Sequence, residues 1–115
     1  MRPNDVRAGV VDSARRLANQ VLGECARDLN LPLHQMDIWW RDDLDGWGMV
    51  STAWPQVLQL HTRLLEADPQ QVVDTVAHEC LHVSRILSGL TTFDAAAEHA
   101  ATDYGHHIAA LWDFP

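Results

Sequence analysis

The sequence predicts a single α+β domain in which one helix, three short strands and two further helices follow one another. Long stretches at both ends have apolar residues every three or four positions, and β-branched and aromatic runs lie between them. The 115 residues are a common length for one domain, so we expect residues 1–115 to share one core. An apolar content of 47% is sufficient for that core and gives no reason to expect disorder.

The first predicted element is a long amphipathic helix from Asp5 to Asn30. Its apolar residues recur at steps of three and four, so they lie along one stripe of the helix surface. These residues are Val6, Val10, Ala14, Leu17, Val21, Cys25 and Leu29. Leu31 and Pro32 end the helix, because proline cannot extend it.

Three short strands are predicted to follow, in a small and mostly antiparallel sheet. Residues 38–40 and 48–52 are aromatic or β-branched runs, and an Asp-Gly turn signal lies between them, so we expect these two strands to form a hairpin. Residues 56–61 alternate polar and apolar side chains, which is typical of a third strand. Pro55 beside it favours an edge position, since proline cannot donate a ladder hydrogen bond.

The second helix has a strong start signal. Asp68 is the expected N-cap, Pro69 the first helical residue, and Gln71 occupies the position from which a capping-box side chain returns to the cap. We expect this helix to run to about Ser88, with Gly89 beyond its end.

The third helix is rich in alanine and is predicted to run from near Asp94 to about Trp112. Apolar residues at steps of three and four define its expected buried stripe. They are Ala97, Ala101, Tyr104, Ile108 and Leu111. Every other residue of the helix can be placed by its angle from that stripe, at about 100° per residue.

Charge and composition exclude several classes of partner. The eight basic residues are all arginine, and sixteen acidic residues leave a formal net charge of −8. Nucleic acid is not an expected partner, because phosphate binding needs a concentrated basic surface. No apolar run reaches the roughly 18 to 20 residues that span a bilayer, and no apolar segment follows the first charged residues. We therefore expect a cytoplasmic protein without a membrane partner, as a monomer or small homo-oligomer.

The two cysteines, Cys25 and Cys80, do not form a disulfide framework or a closely spaced pair of metal ligands. We expect both to be small hydrophobic core residues. The seven histidines in so short a chain direct attention to metal binding instead.

The second predicted helix contains the run His78-Glu79-Cys80-Leu81-His82, an HExxH motif. The spacing of four puts both imidazoles on one face, about one turn apart, as two ligands of a single Zn²⁺ require. Glu79 can reach a water on the metal and act as its general base. Chance would produce the bare pattern in about one per cent of chains this rich in histidine.

A third ligand has to come from downstream, and Glu98 is the best candidate. It flanks the predicted buried stripe of the last helix, whereas His99 and His106 point away from it. The alternatives left open are Asp94, His99, Asp103 and His106. Glu98 could also be a solvated acid in the first turn, where it favours the helix dipole.

The HExxH run followed by Glu98 resembles the gluzincin metallopeptidases. The order of elements resembles the minimal zincin core of minigluzincins, of ImmA/IrrE-type peptidases and of small phage-encoded metallopeptidases, over Val57 to about Leu111. The resemblance implies a zincin-like fold and zinc-dependent hydrolysis of a peptide or protein substrate. It implies Zn²⁺ ligation by His78, His82 and Glu98, catalysis by Glu79 as base and acid, and substrate laid along an edge strand at Gln56–His61.

The sequence departs from the gluzincin pattern at one point. Many gluzincins carry an Asp four residues after the ligand Glu, whereas Thr102 holds that position here. The second carboxylate of that pattern is therefore unassigned. Tyr104 is expected to be a core hydroxyl rather than an oxyanion donor, and Trp47 and Trp54 could line a substrate subsite.

Two further functions compete with the peptidase. One is a zinc-containing regulatory or protein-binding module without activity, which a fourth ligand from His61 or His99 would indicate by closing the metal site. The other is a zinc amidohydrolase acting on a non-peptide amide, because the motif encodes water activation and not the acyl partner.

Overall fold

Three α-helices and one three-stranded sheet make up residues 3–114, the part of the chain that this computed structural model describes. The α+β prediction is confirmed over this range, and Met1, Arg2 and Pro115 of the predicted 1–115 domain lie outside it. The helices are α1 (Pro3–Leu29), α2 (Pro69–Leu87) and α3 (Ala95–Leu111). The strands are β1 (Asp37–Arg41), β2 (Gly48–Ser51) and β3 (Trp54–His61).

The sheet is mixed, and its strand order corrects two predictions. β3 lies in the centre, parallel to β1 and antiparallel to β2, so the predicted hairpin between the first two strands does not form. The hairpin joins β2 to β3, and the Ser51 hydroxyl accepts a hydrogen bond from the Ala53 amide in its turn. Pro55 is compatible with a central strand because β1 pairs only from Val57 onward and the β2 pairing is irregular after Met49.

Helix α1 packs against α2 through the middle and end of its predicted stripe. Val21 and Cys25 are fully buried there, while Val6 and Val10 near the start are about half exposed. Twenty-seven residues give a helix about 40 Å long, and Val6 and Val10 of its first turns line an open groove together with Val72 of α2. No helix within residues 3–114 combines the length and apolar character that crossing a bilayer needs.

Helix α2 is the central element, in contact with α1, α3 and the sheet. One face supplies most of its side chains to the core, and Cys80 is buried among them, as predicted for both cysteines. The fully buried core residues include Leu58, Leu60, Val72, Val73, Val76 and Val83. The predicted start is confirmed with Pro69 in the first turn, but the Gln71 amide donates to Thr75 Oγ1 at 2.8 Å rather than closing a capping box.

Helix α3 packs on α2 through small side chains, which corrects the predicted stripe. The buried residues recur at steps of four: Ala97, Ala101, Gly105 and Ala109. Tyr104 is only half-buried, its hydroxyl donates to Asp28 Oδ2 of α1 at 2.7 Å, and Leu111 is 70% exposed. A Cβ atom at Gly105 would lie 2.7 Å from the Asp74 carbonyl oxygen, so this glycine allows the two helices to approach closely.

Candidate metal centre

The two histidines of the HExxH run lie on one face of α2, one helical turn apart. Their ring centroids are 5.0 Å apart. Together with Glu79 they bring one ligand atom each to within 4.8 Å of one another. This group could hold a metal ion, because imidazole nitrogens and carboxylate oxygens are ordinary ligands of divalent metals.

Glu98 reaches the same place from α3. Its Oε1 lies 2.7 Å from His82 Nε2, and its Oε2 lies 3.4 Å from His78 Nε2. One carboxylate therefore faces both imidazoles, although Glu98 itself is about half exposed. Glu98 therefore lies on the side of α3 that faces the two histidines, next to the buried Ala97.

His82 provides a test of whether the group suits a metal. Its side chain is 4% exposed, and Phe93 packs against its ring with centroids 5.3 Å apart. Despite the short distance to Glu98, His82 Nε2 has no hydrogen-bond partner among the side chains that the structure describes, those of residues 6–114. A buried nitrogen without a hydrogen-bond partner, aimed at a carboxylate, fits a metal ligand better than it fits an ion pair.

Burial shifts the proton affinities of this group. It lowers the pKa of His78, against the opposing charge of Glu98, and so favours the neutral imidazole that binds metals. It also raises the pKa of Glu79 to about 8, with the charge of Glu98 as the second cause. A cation among these side chains would offset both causes of the Glu79 shift, which is a second respect in which the donor set fits a metal.

The alternative third ligands have other roles or face solvent. The Asp94 carboxylate is the N-cap of α3 and accepts a hydrogen bond from the Ala97 amide at 2.8 Å. His99 is 78% exposed and pairs with Asp103 at 3.3 Å on the surface of α3. His106 Nε2 lies 3.4 Å from an oxygen of Asp74 and does not contact Glu98.

A fourth ligand that would close the site is not found among the side chains that the structure describes, those of residues 6–114. His61 Nδ1 accepts a hydrogen bond from the Arg63 amide at 3.0 Å, capping a short 3₁₀ helix after β3. His99 is on the exposed side of α3. Neither belongs to the group of ligand atoms around His78 and His82.

A cavity of about 340 Å³ adjoins the metal centre between β2, α2 and α3. His78 and Glu79 form one wall. Other lining residues are Trp47, Gln71, Asp74, Thr102 and His106. Trp47, one of the two tryptophans predicted to line a subsite, lines this cavity, whereas Trp54 packs against Trp39 with ring centroids 5.7 Å apart.

Two side chains of this region, Asp74 and Phe93, are not among the predicted site residues. Asp74 lies four residues before His78, so helical spacing alone would have placed it on the same face. Phe93, beside His82, has no comparable signal because it lies in the loop before α3.

The position of β2 corrects the expected substrate edge. The predicted edge at Gln56–His61 belongs to β3, which is paired on both sides. β2 pairs only with β3, and its first residue, Gly48, lines the cavity. A Cβ atom at Gly48 would lie 3.2 Å from the Thr75 methyl carbon, so β2 runs close against α2.

Comparison with known proteins adds no relative to these observations. The chain matches no family model, no curated protein and no solved structure. The assignment of function therefore depends on the side chains of the site.

Proposed function

We propose that this domain is a zinc-dependent metallopeptidase of the gluzincin type, on a zincin-like scaffold. The observation that supports it best is the convergence of two imidazole Nε2 atoms from one face of α2 on a single carboxylate of α3, with a buried carboxylate beside them. His78, His82 and Glu98 are the proposed Zn²⁺ ligands, and Glu79 is the proposed catalytic base.

The distances favour Glu98 over Glu79 as the third ligand. Glu98 contacts both Nε2 atoms, at 2.7 and 3.4 Å, from a separate helix. Glu79 follows His78 directly on α2 and lines the cavity. Its oxygens are therefore available to a substrate or a water in the cavity.

These positions suggest separate roles for the metal ion and for Glu79. Zinc, when bound, polarises a carbonyl group and makes a water molecule more acidic. The Glu79 carboxylate accepts a proton from the attacking water and delivers it to the leaving amine. Burial of Glu79 keeps bulk water from competing for that proton.

An extended peptide is the substrate that this geometry suits. The free edge of β2 offers unpaired backbone groups next to the cavity, and a peptide can add to such an edge through main-chain hydrogen bonds. That arrangement brings a peptide carbonyl beside Glu79 and His78. A cytoplasmic location and a monomeric or small homo-oligomeric state stay predictions of the sequence.

The decisive experiment is Glu79→Gln in zinc-loaded protein incubated with a mixed peptide library. We expect the variant to retain one zinc per chain and to lose cleavage by about 10² to 10⁴, because the amide keeps the shape and removes the proton acceptor. Products are identified by mass spectrometry, and Glu24→Gln on the exposed side of α1 is the matched control. Wild-type cleavage by Glu79→Gln would contradict the proposal.

The same library separates the competing functions. Stoichiometric zinc with no peptide cleavage by the wild type would favour the regulatory module, or an amidohydrolase if a panel of non-peptide amides is turned over.

The ligand set has its own test, by zinc titration of Glu98→Ala against Asp94→Ala and His99→Ala. We expect Glu98→Ala to weaken zinc binding by more than about 100-fold, which exceeds the effect typical of residues that contact ligands indirectly. The other two variants should bind zinc like the wild type, because their side chains cap α3 or face solvent. Strong loss in Asp94→Ala alone would move the ligand assignment to that residue.

A further inference from the structure

We infer that the cavity beside the metal centre selects substrates with a cationic side chain, arginine or lysine, next to the scissile bond, and that Asp74 is the carboxylate that binds it. This inference rests on the proposed peptidase function, and it names the substrate class of the same site.

The cavity has the size for one side chain. Its volume of about 340 Å³ is at the lower end of the range for ligand pockets, roughly 300 to 1,000 Å³. Asp74 and Gln71 enter it from α2, and Thr102 and His106 enter it from α3. Every one of these four side chains is polar, so an apolar substrate side chain would strip water from them without replacing its hydrogen bonds.

No arginine pairs with Asp74 in the part of the chain whose side chains the structure describes, residues 6–114. Its ion-pair partner there is His106, at 3.4 Å between Nε2 and Oδ2, and this imidazole is charged only when protonated. The chain has no lysine, and three of its eight arginines pair with Glu66, Glu24 and Asp43. The side chain of Asp74 is 26% exposed, so a cation in the cavity would meet a partly desolvated carboxylate.

One further feature favours a cation over a neutral polar group. The net charge of −8 attracts basic peptides over a long range. Trp47 forms another wall of the cavity, but its ring already has a cation, the Arg63 guanidinium at 4.3 Å, so the binding of a substrate cation is assigned to Asp74.

The cavity is connected to the reaction through Glu79. This side chain is 5% exposed and lines the same cavity as Asp74. A side chain held by Asp74 would therefore belong to a residue adjoining the bond that Glu79 acts on. Asp74 is a specificity-determining residue in this interpretation, not a catalytic one.

Binding is tested first, without turnover, in the zinc-loaded Glu79→Gln protein at pH 8. N-acetyl-arginine amide and its neutral isostere N-acetyl-citrulline amide are titrated, and the backbone signals of Asp74 and Trp47 are followed by NMR. We expect the arginine compound to bind about tenfold more tightly, the gain typical of a charge-assisted hydrogen bond in a partly exposed site. Equal affinities, or no saturable change at these signals, would overturn the inference.

Asp74→Asn in the same background should abolish the difference, because the amide keeps the shape that fits beside Gly105 but carries no charge. Asp103→Asn is the matched control, since Asp103 is 67% exposed on α3 and does not line the cavity. If Asp74→Asn kept the preference for arginine, a residue other than Asp74 would bind the cation and the inference would be wrong.

Cleavage is tested second, with paired peptides that carry arginine or citrulline beside the bond. We expect the otherwise wild-type enzyme to prefer arginine in kcat/KM by about tenfold, and Asp74→Asn to lose that preference without losing zinc. Failure to cleave any peptide, with the binding preference intact, would contradict the peptidase and leave the cation site standing. Cleavage without a preference for arginine would support the peptidase and contradict the cation site.

Discussion

Helix α2 has two interfaces of opposite character. Towards α1 and the sheet it buries Val76 and Cys80, which pack in the same apolar core as Val21 and Cys25. Towards α3 it meets mostly alanine and glycine, and the polar side chains of the site lie along this interface. The difference indicates that the first interface provides most of the stability, because buried apolar area is the main favourable term in folding.

The interface between α2 and α3 buries smaller side chains and brings the two helices closer together. Small residues on α3 bring its axis close to α2, so that Glu98 reaches both histidines and Gly105 lies against Asp74. Stability and the candidate chemistry are therefore carried by opposite faces of one helix. Substitutions on one face should leave the property of the other face largely intact.

The largest expected effect is on the polar face. His78→Ala combined with His82→Ala should abolish stoichiometric zinc binding, because it removes two of three proposed ligands. The helical circular dichroism signal should remain, since alanine favours helix and the α1 interface is unchanged. Metal analysis of the purified protein provides the measurement.

The control for this variant is His99→Ala with His107→Ala, two exposed histidines of α3. It should retain one zinc per chain. Stoichiometric zinc in the His78 and His82 double variant would refute the metal centre, and loss of the helical signal would refute the separation of the two faces.

The next effect is on the apolar side. Leu58→Ala in β3 should lower the free energy of unfolding by about 2 to 5 kcal/mol, because Leu58 is fully buried and its truncation leaves a cavity. Zinc binding by the folded fraction should be unchanged. Urea denaturation gives the stability, and zinc titration below the transition gives the affinity.

Leu111→Ala is the matched control, because that leucine is 70% exposed and its truncation should change stability by about 0.5 kcal/mol or less. If Leu58→Ala weakened zinc binding as much as it lowered stability, the two faces would have to be treated as one unit.

The smallest expected effect concerns the spacing of α2 and α3. Gly105→Ala would place a methyl group against the Asp74 carboxylate and 2.7 Å from its carbonyl oxygen, so α3 has to shift. We expect zinc affinity to fall about 10 to 100-fold, as for other changes that misplace a ligand without removing it. The measurement is a competitive zinc titration with a chromophoric chelator.

Gly23→Ala on α1 is the control for the chemical change, since a Cβ atom there meets nothing within 4 Å. It should stabilise the helix by about 0.5 to 1 kcal/mol and leave zinc binding unaltered. Unchanged affinity in Gly105→Ala would mean that the position of Glu98 tolerates a shift of its helix.

The sequence predicts the helices well because their signals are local. Asp68 and Pro69 mark the start of α2, and Gly89, in a left-handed conformation with φ of 91°, follows its end. The order of strands in the sheet depends on contacts between residues far apart in the sequence, so local signals do not predict it. The Asp-Gly step between β1 and β2 is a genuine turn signal, but it does not specify that β3 inserts between those strands.

The candidate site divides in the same way. His78 and His82 follow from helical spacing, and Glu98 follows from its angle to Ala97 and Ala101, which are buried as predicted. The prediction is wrong for the far end of the α3 stripe. There, a small side chain and not a hydrophobic one decides which residues face α2. Gly105 has no side chain and gives no signal in a hydrophobic pattern, so the pattern does not indicate that Asp74 lies against α3.

Gly89 turns the chain back after α2, and Glu98 returns to His82 from sixteen positions further along. Closing a flexible loop of that length costs about 2.5 kcal/mol of conformational entropy. This entropy is lost when α3 folds onto α2, and not when an ion binds. If the candidate centre binds an ion, its affinity is then set by the donor atoms and not by ordering of the chain, as in a preorganised chelator.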